Sequence, residues 1–141
     1  MKKNNLLIII LLTLFLSSCG VLPINQNGNL NGTAWTLIRY NGTDLLPETA
    51  MTAYIGDGEI NGSASCNHYF GSYTAKGDQI HIEGLGWTEM ACMDPEGIME
   101  QEQQVMRMFS QAGTYSIEGQ ILQITTGSGE VMIFQQIANR E

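Results

Sequence analysis

The chain has 141 residues, of which 14 are acidic and six are basic, and its formal net charge is −8 at pH 7. This acidity argues against nucleic acids and anionic lipid surfaces as partners, because both repel a protein of the same charge. The length is sufficient for one domain with a buried core.

The N-terminus has the organisation of a bacterial export signal. Two lysines precede an apolar run from residue 6 to residue 16, which is shorter than the roughly 20 residues of a membrane-spanning helix. Residues 16–19, Leu-Ser-Ser-Cys, resemble the bacterial lipobox. The resemblance implies a signal peptide over residues 1–18, a diacylglycerol on the Cys19 thiol and further acylation, such as palmitate, on the new amine. The alternative is an ordinary secretory signal with an incidental cysteine.

Cleavage would leave four basic residues against 14 acidic ones, a formal charge of −10. Gly20 stands where an aspartate would resemble the inner-membrane retention signal of enterobacteria, so we expect the outer membrane in a Gram-negative host. Residues 19–31 are rich in Asn and Gly and predict a lipidated N-terminus followed by a flexible tether of roughly 20 Å. Residues 32–138 are predicted to form the folded domain.

From residue 34 onward, short segments rich in β-branched and aromatic residues alternate with turns that contain Gly, Asn or Asp. This pattern predicts a mainly β domain in which hairpins connect antiparallel strands. The predicted strands are residues 34–40, 51–55, 59–64, 69–75, 79–85, 87–91, 113–118, 121–126 and 130–136. Three Asn-Gly pairs that are followed by Thr or Ser begin at residues 31, 41 and 61, and they are predicted to be turns between strands.

One segment departs from the strand pattern and predicts a helix near residues 95–111. Asp94 is the expected N-cap, Pro95 the first helical residue and Glu96 an acidic residue in the first turn. Apolar residues recur at spacings of three, four and seven over residues 96–111, so one face of the helix should pack on the sheet. Its methionines are expected to fill the core rather than line a binding groove.

These segments together resemble the META domain family, whose bacterial members include the HslJ-like heat-shock lipoproteins. The resemblance rests on Thr-Ala-Trp-Thr-Leu at 33–37, Ile-Asn-Gly at 60–62, Cys-Asn-His-Tyr-Phe-Gly-Ser-Tyr at 66–73 and Thr-Glu-Met-Ala-Cys at 88–92, followed by the acidic helix and the last three strands. It implies an antiparallel β domain, barrel-like or sandwich-like, with one packed helix and a role in envelope stress. One departure is Ser65, where the family usually has glycine.

Cys66 and Cys92 are the cysteines left after lipidation of Cys19. Export places them in an oxidising compartment, so we predict a disulfide that closes a loop of about 27 residues. The competing hypothesis makes Cys66 a nucleophile with His68 nearby, but residues two apart on a strand do not form an oriented pair.

Asn67, Tyr69 and Tyr73 form the densest group of polar and aromatic residues, so they are the candidate binding surface. His68 and His81 do not have the spacing of a metal site, and neither a metal nor a cofactor is predicted. Trp35 and Trp87 lie in predicted strands and are expected in the core, although a ligand platform is the alternative. No catalytic residue is predicted.

These observations favour a non-enzymatic, monomeric envelope domain that contacts the membrane through Cys19 and an envelope protein through its surface. Two alternatives stay open. One is a barrel that binds a small ligand in its interior. The other is a thiol-dependent redox protein, which requires a free cysteine.

Overall fold

The computed structural model describes residues 28–138, so the predicted export signal and Cys19 lie outside the described residues. Within this range the elements are β1 (Thr33–Tyr40), β2 (Thr43–Asp44), β3 (Thr52–Gly56), β4 (Glu59–Ser63), β5 (His68–Lys76), β6 (Gln79–Trp87), α1 (Ile98–Ser110), β7 (Ala112–Glu118), β8 (Ile121–Thr126) and β9 (Val131–Gln136). No helix within residues 28–138 has the length and apolar character needed to cross a membrane.

The strands form a closed antiparallel barrel. Strands β1 and β3 to β9 pair with their neighbours in chain order, and β9 pairs with β1 to close the ring. The short β2 strand pairs only with β1. The predicted mainly β fold with one helix is therefore confirmed, and of the two architectures considered the barrel is the one that forms.

The alternating strand directions give the barrel two different ends. The hairpin turns at residues 57–58, 77–78 and 119–120 lie at the end where β1 begins, which we call the hairpin end. The connection between β4 and β5 and the segment that precedes α1 lie at the opposite end, which we call the helix end. The chain therefore enters the described structure at the hairpin end.

Residues 28–31 pack against the barrel. The side chain of Leu30 is buried, and the Asn31 side-chain oxygen accepts a hydrogen bond of 2.6 Å from the backbone N–H of Asp57. The folded domain therefore includes four residues that the sequence pattern assigns to the tether. Their composition resembles a tether, but the contact of Leu30 with the core decides their structure.

The barrel interior is filled by side chains. Alternate residues of the strands point inward, and α1 inserts its apolar face at the helix end. Phe109 of this helix packs between Tyr69 and Phe134, with ring centroids 5.4 and 6.0 Å away. The largest fully buried side chains are Trp35, Tyr69, Phe109, Phe134, Ile55, Ile60, Met108, Leu122, Ile124, Met132, Val105 and Asn67.

The helix begins later than predicted. It starts at Ile98, and its N-cap is Gly97 with φ of 90°, whereas Asp94 and Pro95 are joined by a cis peptide bond in the preceding turn. The positive φ of Gly97 separates that turn from the helix, so the predicted cap at Asp94 is wrong. The helix face is as predicted, since Val105, Met106, Met108 and Phe109 are buried.

The predicted strand over residues 87–91 is also wrong. Strand β6 ends at Trp87. Thr88 adds one backbone hydrogen bond, from its N–H to the His68 carbonyl of β5 at 3.0 Å, and beyond it the backbone N–H of Met90 bonds to the side chain of Asn67. The Asn-Gly pairs at 31 and 41 lie in turns as predicted. The third pair, Asn61-Gly62, lies inside β4, where a Cβ on Gly62 would overlap the carbonyl group of Thr52.

Candidate functional site

The cysteines lie at the helix end of the barrel and form a disulfide. Cys66 precedes β5 and Cys92 follows β6, and their sulfur atoms are 2.02 Å apart. The predicted pairing is confirmed. A nucleophilic Cys66 would need a free thiol, and this bond leaves Cys66 without one.

Asn67, the next residue, links three parts of the chain. Its side-chain oxygen accepts hydrogen bonds of 2.7 Å from the Thr88 hydroxyl and from the Met90 N–H. Its amide group donates to the Met90 carbonyl at 3.2 Å and to Glu102 at 2.6 Å. The Asn67 side chain therefore holds the segment after β6 against the helix, next to the disulfide that fixes the same segment at Cys92.

Glu102 is the buried carboxylate of this cluster. One of its oxygens accepts from the Asn67 side chain, and the other accepts a 2.9 Å hydrogen bond from the Asn67 backbone N–H. The neighbouring Gln101 accepts from the Leu46 N–H at 2.7 Å and donates to the Thr49 hydroxyl at 3.1 Å. These two polar residues attach the first turns of α1 to the loops on both sides of it, which is a positioning role within the fold.

Tyr69 lies inside the barrel rather than on a surface. Its hydroxyl donates a 2.8 Å hydrogen bond to the Thr52 carbonyl, and its ring packs on Phe109. Burial raises the pKa of this hydroxyl well above its ordinary range, because the charged form would lose its hydration. Tyr69 therefore stays neutral and acts as a core residue.

Tyr73 lies towards the opposite end of the barrel. Together with Tyr115 and residues 28–31 it lines a groove of about 570 Å³ at the hairpin end. Burial raises the pKa of both hydroxyls, with further increases from Asp57 at Tyr73 and from Asp78 at Tyr115. The groove therefore contains two neutral phenols at physiological pH.

The three residues of the predicted binding surface consequently do not form one surface. Asn67 is 1% exposed and Tyr69 is 2% exposed, so neither can contact a partner, and Tyr73 faces a different end of the barrel. Asn67 and Tyr69 are structural residues instead. The side-chain polar atoms of Asn67 bond to Thr88, Met90 and Glu102, and the Tyr69 hydroxyl bonds to Thr52.

The histidines and tryptophans have different positions. His68 and His81 are exposed on β5 and β6, and residues 28–138 contain no group of three or more His, Cys, Asp or Glu side chains arranged to hold a metal ion. Trp35 is buried as predicted. Trp87 is 45% exposed, contrary to the prediction, because it is the last residue of β6 at the rim of the barrel.

The sequence pattern missed two exposed aromatic side chains on the outer face of the barrel. Tyr54 is 49% exposed and Phe70 is 62% exposed. They lie on β3 and β5, and Asn61 of β4 is paired with both of them. Strand alternation could have placed Phe70 outside once Tyr69 was known to point inward.

The fold defines the class of protein: a small closed β barrel with one helix inserted at an end and a side-chain-filled interior. The chain belongs to the META domain family, whose sequence profile matches residues 28–139. No curated protein sequence matches the chain significantly.

Solved structures share this fold at low sequence identity. An NMR structure of a protein from Burkholderia xenovorans has a TM-score of 0.66 and 22% identity over 78% of this chain and 85% of that one. A second NMR structure has a TM-score of 0.59 and 20% identity over 73% and 88% of the two chains. A crystal structure of a DUF4847 family protein from Bacteroides vulgatus has a TM-score of 0.57 and 12% identity over 79% and 96%. These similarities concern the fold alone.

Proposed function

We propose that this protein is an HslJ-like lipoprotein of the bacterial cell envelope, and that its META domain is a non-catalytic interaction module with a role in stress tolerance. The anchor is the lipid on Cys19, in the outer membrane if the host is Gram-negative. The lipobox-like residues 16–19 and Gly20 support this part of the proposal.

The observation that carries the binding role is the filled interior of the barrel. Trp35, Tyr69, Phe109 and Phe134 occupy the space in which a ligand-carrying barrel would hold its ligand. Binding would therefore use the outer surface, and this argues against the alternative of an interior ligand site. The disulfide between Cys66 and Cys92 likewise argues against a thiol-dependent redox protein.

The direction of the chain supports a membrane-attached arrangement. Residue 28 enters at the hairpin end, so an anchor at Cys19 would hold that end towards the bilayer and leave the sides and the helix end accessible to other envelope components. The formal charge of −10 would keep the domain itself away from anionic lipid.

The anchor is tested by the intact mass of protein extracted from membranes and alkylated with or without prior reduction. We expect a lipid mass on Cys19, with Cys66 and Cys92 alkylated only after reduction. Absence of the lipid mass would refute the anchor, and alkylation of either cysteine without reduction would restore the thiol hypothesis.

The interaction role is tested in living cells with a photocrosslinking amino acid at position 70, which is exposed, and at position 69, which is buried, as the matched control. We expect one reproducible crosslinked partner from position 70 only. The proposal fails if position 70 captures nothing specific and deletion of the gene leaves envelope stress tolerance unchanged.

A further inference from the structure

A row of four paired residues crosses the outer face of four neighbouring strands. Tyr54 of β3 is paired with Asn61 of β4, Asn61 with Phe70 of β5, and Phe70 with Gly86 of β6. Directly paired residues lie on the same face of a sheet, about 5 Å from one strand to the next. Two strand spacings therefore place the backbones of Tyr54 and Phe70 about 9.5 Å apart, with Asn61 on the strand between them.

The Phe70 ring lies along the sheet instead of projecting into solvent. The outer half of the ring occupies the space that a side chain would fill if residue 86 were not glycine. A Cβ built on Gly86 would meet three ring atoms at 2.8 to 3.5 Å. One face of the ring thus covers the glycine backbone. The other face is open to solvent, as the 62% exposure of the residue shows.

Polar side chains flank this aromatic row on both sides. Glu59, Ser72 and Glu83 are paired with one another across β4, β5 and β6 on one side. Ser63 is paired with His68 on the other, next to Thr52, whose hydroxyl accepts a hydrogen bond from the Ser63 N–H. The face therefore alternates flat apolar rings with hydrogen-bonding groups.

The end of the row at Tyr54 borders a shallow groove of about 480 Å³. Besides Tyr54 and Asn61, the groove is lined by Asp57 and Glu59, which supply carboxylate oxygens. These rows and the groove contain carboxylates but no lysine or arginine. The charge of the site excludes phosphorylated, sulfated and uronic-acid ligands, which need basic partners.

This combination has the chemistry of a carbohydrate platform. A pyranose ring has an apolar face of C–H groups that stacks on an aromatic ring and an edge of hydroxyls that bond to amides and carboxylates. An extended β-1,4-linked hexose chain presents the same ring face after every second sugar, on the length scale of two strand spacings. The positions of Tyr54 and Phe70 suit two such sugars, and Asn61 suits the sugar between them.

We infer that the outer face of β3 to β6 is a binding site for an uncharged, β-1,4-linked glycan chain, with Tyr54 and Phe70 as the stacking residues and Asn61 as the hydrogen-bonding residue between them. This inference rests on the proposed function, because it names the ligand class of the outer surface. The β-1,4 linkage occurs both in glycans of N-acetylated sugars and in glycans of unacetylated sugars. The experiment below distinguishes these two sources.

The experiment uses the full chain purified from detergent-solubilised membranes and titrated with chitohexaose, cellohexaose or oligogalacturonate. Isothermal titration calorimetry gives the affinity, and ¹⁵N NMR identifies the backbone amides that shift. We expect at least one of the two neutral oligosaccharides to bind and to shift the amides of Tyr54, Asn61 and Phe70. Binding of chitohexaose alone would assign the N-acetylated source, and binding of cellohexaose alone the unacetylated one.

Variants separate a binding role of the rings from a structural one. Phe70→Ala and Tyr54→Ala should each weaken binding at least about tenfold, whereas Phe70→Tyr should retain it because the ring stays over Gly86. Met93→Ala is the matched control, since Met93 is an exposed apolar residue at the helix end, away from the row. Tyr54→Ala keeps the test informative if Phe70→Ala does not fold.

The inference is overturned if neither neutral oligosaccharide binds, if both alanine variants bind as tightly as the natural chain, or if oligogalacturonate binds equally well. Such a result on protein that carries the lipid mass would leave the proposed anchor intact. Oligosaccharide binding by protein without the lipid mass would refute the anchor and support the glycan site.

Discussion

Asn67 and Glu102 form a two-point hydrogen bond in the interior of the protein: the Asn67 backbone N–H and side-chain amide donate to separate oxygens of the Glu102 carboxylate, at 2.9 and 2.6 Å. Both residues are at most 2% exposed. The pair joins the start of β5 to α1, and through Asn67 it also joins the segment that carries Thr88 and Met90. A buried polar contact of this kind fixes where the helix sits in the barrel.

Replacement of Glu102 by Gln should destabilise the protein by about 1–3 kcal/mol. Asn67 offers two donors, and glutamine has only one acceptor oxygen, so one donor would face an –NH2 group. The free energy of unfolding in urea measures the loss. Gln103→Ala, an exposed change on the same helix, should alter it by less than about 0.5 kcal/mol, and equal losses in the two variants would contradict the assigned role of Glu102.

The disulfide should contribute about 3.5 kcal/mol to stability, because Cys66 and Cys92 are 26 residues apart and the bond restricts the unfolded chain. Cys66→Ala, Cys92→Ala and the double variant should lose similar amounts, since each removes the same bond. Urea unfolding with and without reductant measures this. Reductant should weaken the natural chain and leave the double variant unchanged, so a reductant effect on that variant would contradict the assignment.

Ser65→Gly should stabilise the protein by about 1 kcal/mol. Ser65 has φ of 89°, a backbone conformation that glycine adopts without the steric cost of a Cβ. The gain should appear as a higher urea midpoint at unchanged slope. Ser72→Gly is the control, because Ser72 lies within β5 and glycine inside a strand should cost stability. A loss at both positions would show that Ser65 is not strained.

Gly62→Ala should destabilise the protein by about 3 kcal/mol or more. An added Cβ would overlap the Thr52 carbonyl group, to which the Tyr69 hydroxyl donates, and would crowd the Tyr69 ring. Thermal unfolding measures the effect. Gly127→Ala places its Cβ in open space at an ordinary φ, so it should be nearly neutral, and similar melting temperatures for the two variants would contradict the close strand approach.

Stability should fall as the pH rises above about 10, where tyrosines of the unfolded chain lose their protons. Burial raises the pKa of Tyr69 in the folded state, so the folded chain keeps a proton that the unfolded chain releases, and higher pH favours unfolding. Tyr69→Phe should show a shallower alkaline decline of the free energy of unfolding. It should not become flat, because the pKa values of Tyr73 and Tyr115 are raised as well. An unchanged slope would contradict the burial of the Tyr69 hydroxyl.

The sequence by itself determined most of the local structure and the family. Eight of the nine predicted strands form close to their predicted residues, because strand alternation and glycine turns are properties of neighbouring residues. The pairing of Cys66 with Cys92 also followed from the sequence, since these are the only two cysteines after Cys19. The helix was predicted from its apolar spacing, and only its start was misplaced, by the conformation of Gly97.

The tertiary structure decided which residues are available for function. Asparagine is a polar residue type that is usually found at the surface. Asn67 is buried because its partners Thr88, Met90 and Glu102, which lie 21, 23 and 35 residues away in the sequence, meet it in the fold. Alternation places Tyr69 and Phe70 on opposite faces of β5, and only closure of the barrel determines which face is inside. Closure buries Tyr69 and leaves Phe70 on the outer face, paired with Gly86 and in one row with Asn61 and Tyr54. Burial therefore depends on pairing between strands that are distant in the sequence, which no local sequence pattern specifies.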